Sequence, residues 1–143
     1  MRTLTIDEKM SKAVALYKEP LKGYTPDDIR KWLIEHNSDD DLATAYALVS
    51  NQAGWLMHDI GDPDNSEEED KIISQRFDEW RALDGDILQT IIGKIKEYNA
   101  QNGTSYPTEG KGTHFIVEPF MNMHGYRDGA GWWVKKEPED EES

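Results

Sequence analysis

A mainly α-helical fold is predicted: four helices packed as a bundle, with a long central helix and a small antiparallel β unit at the C-terminal end. Three observations predict it. From Ser66 to Asn99 the apolar residues Ile73, Phe77, Trp80, Ile87, Ile91, Ile95 and Tyr98 recur every three or four positions, so they share one helix face. A second row, Ile72, Leu83, Leu88 and Ile92, widens that stripe into a core-facing surface. Capping signals and helical periods recur upstream, whereas aromatic and β-branched runs replace them after Asn99. At 1.5 Å per residue the central helix would span roughly 50 Å.

In chain order, Thr5 and Glu8 form a capping box before Ile6, Met10, Ala13, Val14 and Tyr17, which predicts a helix over Ile6–Lys18 ending before Pro20. Thr25 is the next N-cap, with Pro26 at the first helical position and Asp27 and Asp28 at the positive end of the dipole. Ile29, Trp32, Leu33 and His36 form the inner face expected of this helix, and Asn37 stops it. A third helix begins around Asp39–Asp41 and repeats Leu42, Ala45, Val49, Ala53, Leu56 and Ile60. Gly54 lies in its interior, which points to a close helix contact there, because glycine costs about 1 kcal/mol relative to alanine. Gly61-Asp62-Pro63-Asp64-Asn65 ends the helix, and a capping box at Ser66 and Glu69 starts the next, so an antiparallel hairpin is expected.

Within the long helix, Asp84 falls on the apolar face and Gly85 favours a break. Either the helix bends locally or Asp84 caps a second one; the agreement of apolar phase on both sides favours one continuous helix. Beyond it, Asn102–Pro107 and Gly110–Gly112 are loop chemistry. His114–Glu118 and Trp132–Val134 read as strands, and Pro119–Gly131 as the loop between them. No repeat or linker divides the chain, so one globular domain is expected over residues 1–136, with an acidic disordered tail over 137–143.

Charge is the strongest compositional signal. The 143 residues hold 29 acidic against 16 basic side chains, a formal net charge of −13. That field repels nucleic acid and anionic membrane and attracts basic partners, although acidity also serves solubility alone. No apolar run reaches the ~18 residues of a membrane span. The N-terminal MRTLTIDEKM has neither an apolar core nor a cleavage site, so no secretory signal is expected. Cysteine is absent, which excludes disulfides and thiolate chemistry, and a cytoplasmic location fits best.

Chemical motifs are few. Asp62-x-Asp64-x-Ser66 departs from a calcium loop at Glu67, where glycine is needed, and at Ile73, where a bidentate Glu is needed. His36, His58, His114 and His124 show no i, i+4 pair and no HExxH, so no metal site is expected. There is no nucleophile elbow and no P-loop. All-helical nucleotide pyrophosphatases hold magnesium with paired Glu-x-x-Glu and Glu-x-x-Asp sites, but here Glu67–Asp70 opens a helix, where acid already has a dipole role. No catalytic residue and no cofactor are expected.

Two stretches remain as candidate partner-binding surfaces. One is the acid run Asp62, Asp64, Glu67, Glu68 and Glu69, which can also be read as a solvated hairpin tip. The other is the loop and strand holding Met123, His124, Tyr126, Arg127, Asp128 and Trp132. Gly125 and Asp128-Gly129 allow sharp turns that would present Tyr126 and Arg127 at the tip. The bland alternative has Arg127 pairing with a local acid and holding the loop.

SNQAGW at Ser50–Trp55, EPFM at Glu118–Met121 and GYRDGAGWW at Gly125–Trp133 together resemble small uncharacterised proteins of Gram-positive bacteria and their mobile elements. The likeness covers about Ala45–Val134 and implies a mobile-element context, but no activity and no catalytic residue. The expected function is a non-enzymatic, acidic module that binds a basic protein. One form is an inhibitor occupying the nucleic-acid-binding surface of a defence protein such as a CRISPR effector. An immunity protein or antitoxin against a basic toxin fits the charge equally, and a pocket or enzyme at the C-terminal loop is the third reading.

Overall fold

A computed structural model describes residues 24–110, 112–128 and 133–135. The helix expected over Ile6–Lys18, the candidate Trp132 and the tail over 137–143 lie outside the described residues. Among the described residues the chain is mainly helical: α1 (Pro26–Glu35), α2 (Asp39–Asp59), α3 (Glu67–Asn102) and α4 (Thr113–Met123), then β1 (Tyr126–Asp128) and β2 (Trp133–Lys135).

Three helix starts use one device. Thr25 with Asp28, Ser38 with Asp41, and Ser66 with Glu69 each form a reciprocal capping box, satisfying two amides that would otherwise lack partners. Much of the acid at helix starts is therefore structural. Ser38 is the box that the reading of Asp39–Asp41 left out.

Helix α2 is the centre of the molecule. It buries residues around most of its circumference, among them Ala43, Tyr46, Leu48, Val49, Gln52 and Leu56, whereas the longer α3 buries only Trp80, Leu83, Ile87, Ile91 and Ile95. The pairs Asn65–Asp70, Ser50–Asp84 and Asp39–Lys94 step along the two helices in opposite senses, so α2 and α3 run antiparallel. Helix α3 continues unbroken through Asp84-Gly85-Asp86 for 36 residues and ends on Gly103, at φ 65°. Ile73, Phe77, Leu88 and Ile92 pack partly against the core. Ile72 departs from the expected inner row: it lies on the flank of the stripe and is 57% exposed.

Helix α1 is anchored by Ile29, with Trp32 and Leu33 half-buried beside it. His36 is exposed, not inward as expected; its ring stacks on Trp32 at 4.4 Å and forms the helix C-cap. Gly54 is likewise exposed.

The strand expected over His114–Glu118 is instead the first half of α4, and the expected loop from Pro119 supplies the second half. Ile116, Val117, Phe120 and Met121 are all buried, a helical period that local β-propensity conceals. Pro119 is tolerated inside α4. The carbonyl its missing N–H leaves unpaired belongs to Phe115, a residue 64% exposed, so that group can be hydrated. The described strands are therefore Tyr126–Asp128 and Trp133–Lys135. They pair antiparallel with Tyr126 opposite Lys135, Arg127 opposite Val134 and Asp128 opposite Trp133.

Candidate functional site

The two candidate surfaces sit at opposite ends of α2. The acidic turn joins the end of α2 to the start of α3, whereas His124 lies beside Asp40 at the start of α2. A 21-residue helix separates them, about 30 Å of axial rise. They do not form one surface.

At the acidic end, Asp62, Asp64, Glu67, Glu68 and Glu69 are all exposed. Some of this acid holds the turn. The Asp62 carboxylate accepts from the Asp64 amide at 2.9 Å. Asp70 accepts from the Gly61 amide at 3.1 Å and from the Asn65 side chain at 2.9 Å, and Gly61 sits at φ 84°, a conformation glycine adopts without strain. Glu69 accepts from the Ser66 amide at 2.7 Å as part of its capping box. Asp64, Glu67 and Glu68 project from this braced turn. No Lys or Arg interrupts the sequence from Asp59 through Asp70.

At the other end Tyr126 is not presented at a tip. Tyr126 is fully buried in β1, and its hydroxyl meets that of Thr44 at 3.0 Å. Helix α4 consumes the residues that would have formed the loop, which pulls Tyr126 against α2. Met123 is exposed, Arg127 is exposed, and Asp128 occupies the strand position opposite Trp133. His124 donates from Nδ1 to the Asp40 carboxylate at 2.6 Å, because a carboxylate can only accept. Tyr126→Phe should lower unfolding stability by about 1 kcal/mol, the usual net value of one hydrogen bond. Adding Thr44→Val should then change little further, and denaturant unfolding of the four chains in that cycle measures the coupling.

Two recesses cross the body of the fold. A groove of about 590 Å³ between α1 and α3 has a floor of Leu42, Leu83 and Ile87 with Arg30 and Lys94 at its rim. Both cations are already paired: Arg30 with Asp27 and Asp86 at 3.3 and 3.4 Å, Lys94 with Asp39 at 3.3 Å.

The second recess, about 380 Å³, holds a carboxylate on the core-facing side of α3. Asp84 follows the buried Leu83, and Ser50 of α2 donates to its Oδ1 at 2.7 Å. One turn earlier on α2, the buried Tyr46 lies beside Ser50. Ser50 gives its one proton to Asp84, and Tyr46, Ser50 and Asp84 form a polar cluster across α2 and α3. Burial pushes the Asp84 carboxyl above its ordinary value of 3.8, while the Ser50 bond and the charge of Arg81 oppose the rise. Burial, followed by the charge of Asp84, pushes the Tyr46 phenol up to about 12 against the opposing Ser50 bond.

A carboxyl that titrates higher in the folded chain than in the unfolded one favours folding when protonated. Its ionic penalty is complete above the folded pKa and fades as pH falls toward 3.8. Measured at about pH 7 and about pH 4, the stability of the parent relative to Asp84→Asn should therefore rise on acidification. Ser50→Ala removes the proton that satisfies the carboxylate and should cost about 1–3 kcal/mol at neutral pH. Asp84 had a sequence signal, acid on an apolar face; Ser50 and Tyr46 had none, because only the α2–α3 pairing joins them to it.

Among the described residues no group of three or more His, Asp or Glu is placed to hold a metal ion, and no helix is long and apolar enough to cross a membrane. No family model, no curated protein and no solved structure matches this chain.

Proposed function

We propose that this chain is a non-enzymatic protein-binding module that recognises a basic partner through the acidic turn between α2 and α3. The observation that carries this reading is the exposed set Asp62, Asp64, Glu67 and Glu68 on a turn braced by Asp70, Asn65 and a capping box. A braced turn loses little conformational entropy when it docks, so its charges act as a preformed surface. Net charge of −13 adds long-range attraction toward a cationic protein and repulsion from nucleic acid. The scaffold is read as a helical bundle extended by α4 and the β1–β2 pair, which leaves the turn projecting from one end.

In its concrete form the module is an inhibitor that occupies the basic, nucleic-acid-binding channel of a defence protein, with carboxylates standing where phosphates would. Capture from cell lysate tests the class. Basic proteins should be retained by the parent at low salt, released at high salt, and not retained by a chain with the turn charges reversed. Retention that survives both changes would end this reading.

A further inference from the structure

We propose that the recess beside Asp84 is a binding site for a small zwitterion with an apolar side chain, of the chemical class of a free apolar α-amino acid. Its polar groups are placed and uncommitted. Among the described residues Ser50 is the one hydrogen-bond partner of the Asp84 carboxylate, bonded at Oδ1, so Oδ2 retains its acceptor capacity. Arg81 lines the same recess one turn away, forms no ion pair with Asp84, and lies over the Phe77 ring at 5.8 Å. One carboxylate and one cation thus border a common space beyond ion-pair distance, although the charge of Arg81 is near enough to favour the ionised Asp84. That arrangement suits a ligand carrying an ammonium and a carboxylate on one carbon. The rim cations of the α1–α3 groove, by contrast, are already matched within the fold.

The walls suit the rest of such a molecule. Met57, Phe77 and Leu88 line the recess, and Met57, 61% exposed, offers apolar surface at its edge. Gly54 and Gly85 also line it. Gly85 has no conformational reason to be glycine, since it lies within regular α3. It has no packing reason either, because a Cβ there would meet nothing within 4 Å. What the missing side chain does is keep the recess open. A volume of about 380 Å³ accommodates a ligand of this size.

The test uses the full chain titrated with L-leucine, L-methionine and L-phenylalanine, followed by the amide resonances of Gly54 and Gly85. Leucinamide, which lacks the carboxylate, and 4-methylpentanoate, which lacks the amine, serve as controls. At least one amino acid should give saturable shifts, and the two controls should bind at least about tenfold more weakly, each having lost one charged contact. Gly85→Ala should melt above the parent, because alanine is the better helix former, yet lose at least about tenfold in affinity as its methyl enters the recess. Asp84→Asn should lose affinity for the amino acid while keeping its fold. The proposal is overturned by an absence of saturable shifts up to about 10 mM ligand. It is overturned equally if Gly85→Ala binds as the parent does, or melts below the parent, which would mean that the space is already filled.

Discussion

Trp80→Ala is expected to lower the unfolding free energy by about 3–5 kcal/mol, the range for truncating a large buried aromatic. Trp80 is 2% exposed and faces α2 among Leu83, Ile87 and the α2 residues of the core. Its removal leaves a cavity that two long, mutually braced helices cannot close without breaking their side-chain register. A small domain has about 5–15 kcal/mol in total, so most of its stability goes with one side chain. Phe77→Ala should cost distinctly less, because Phe77 is only half-buried at the edge of the core and borders the open recess. Chemical denaturation of the two variants ranks them. Equal losses would show that the α3 face is buried evenly along its length, against the gradient described above.

Reversal of Asp64, Glu67 and Glu68 to Lys is expected to abolish binding to a basic partner while leaving the melting temperature close to that of the parent. Three reversals change the local charge by six units, and surface charge pairs are individually weak, so the effect comes from the field and not from one contact. Asp62, Glu69 and Asp70 must be left alone: they accept backbone and side-chain hydrogen bonds at the turn, and their reversal would unfold the very surface under test. Binding by the parent should weaken steeply with salt, since exposed charges are screened over a Debye length of about 8 Å at physiological ionic strength. Affinity that is flat across salt, or retained by the triple reversal, would move the interface to the exposed apolar side chains near Met57.

The helices that local chemistry could announce were legible. The starts of α1, α2 and α3 follow from Thr25-Pro26, from acid at Asp39–Asp41 and from Ser66 with Glu69, because a capping box is satisfied entirely within four residues. The unbroken α3 was legible too, from an apolar phase that agrees on both sides of Asp84. Helix α4 was not. His114, Phe115, Ile116 and Val117 are strand-forming residues by local preference, and Pro119 reads as a stop. Burial of Ile116, Val117, Phe120 and Met121 on one face outweighs that preference, and burial is a tertiary quantity.

The same division runs through the candidate sites. By itself the sequence determined the acidic turn, because its charges, its glycine and its cap are contiguous, and contiguous residues stay together in any fold. Only the tertiary structure decided that α2, and not the longer α3, is the centre. An Ala-rich helix has little amphipathic contrast, and its burial shows only when neighbours cover more than one side. Tertiary structure likewise turned Tyr126 inward onto Thr44, and it brought Tyr46 and Ser50 to Asp84 across two antiparallel helices. Those contacts join residues more than thirty positions apart. No local pattern encodes such a pairing; it arises when apolar faces bury each other and carry their polar neighbours with them.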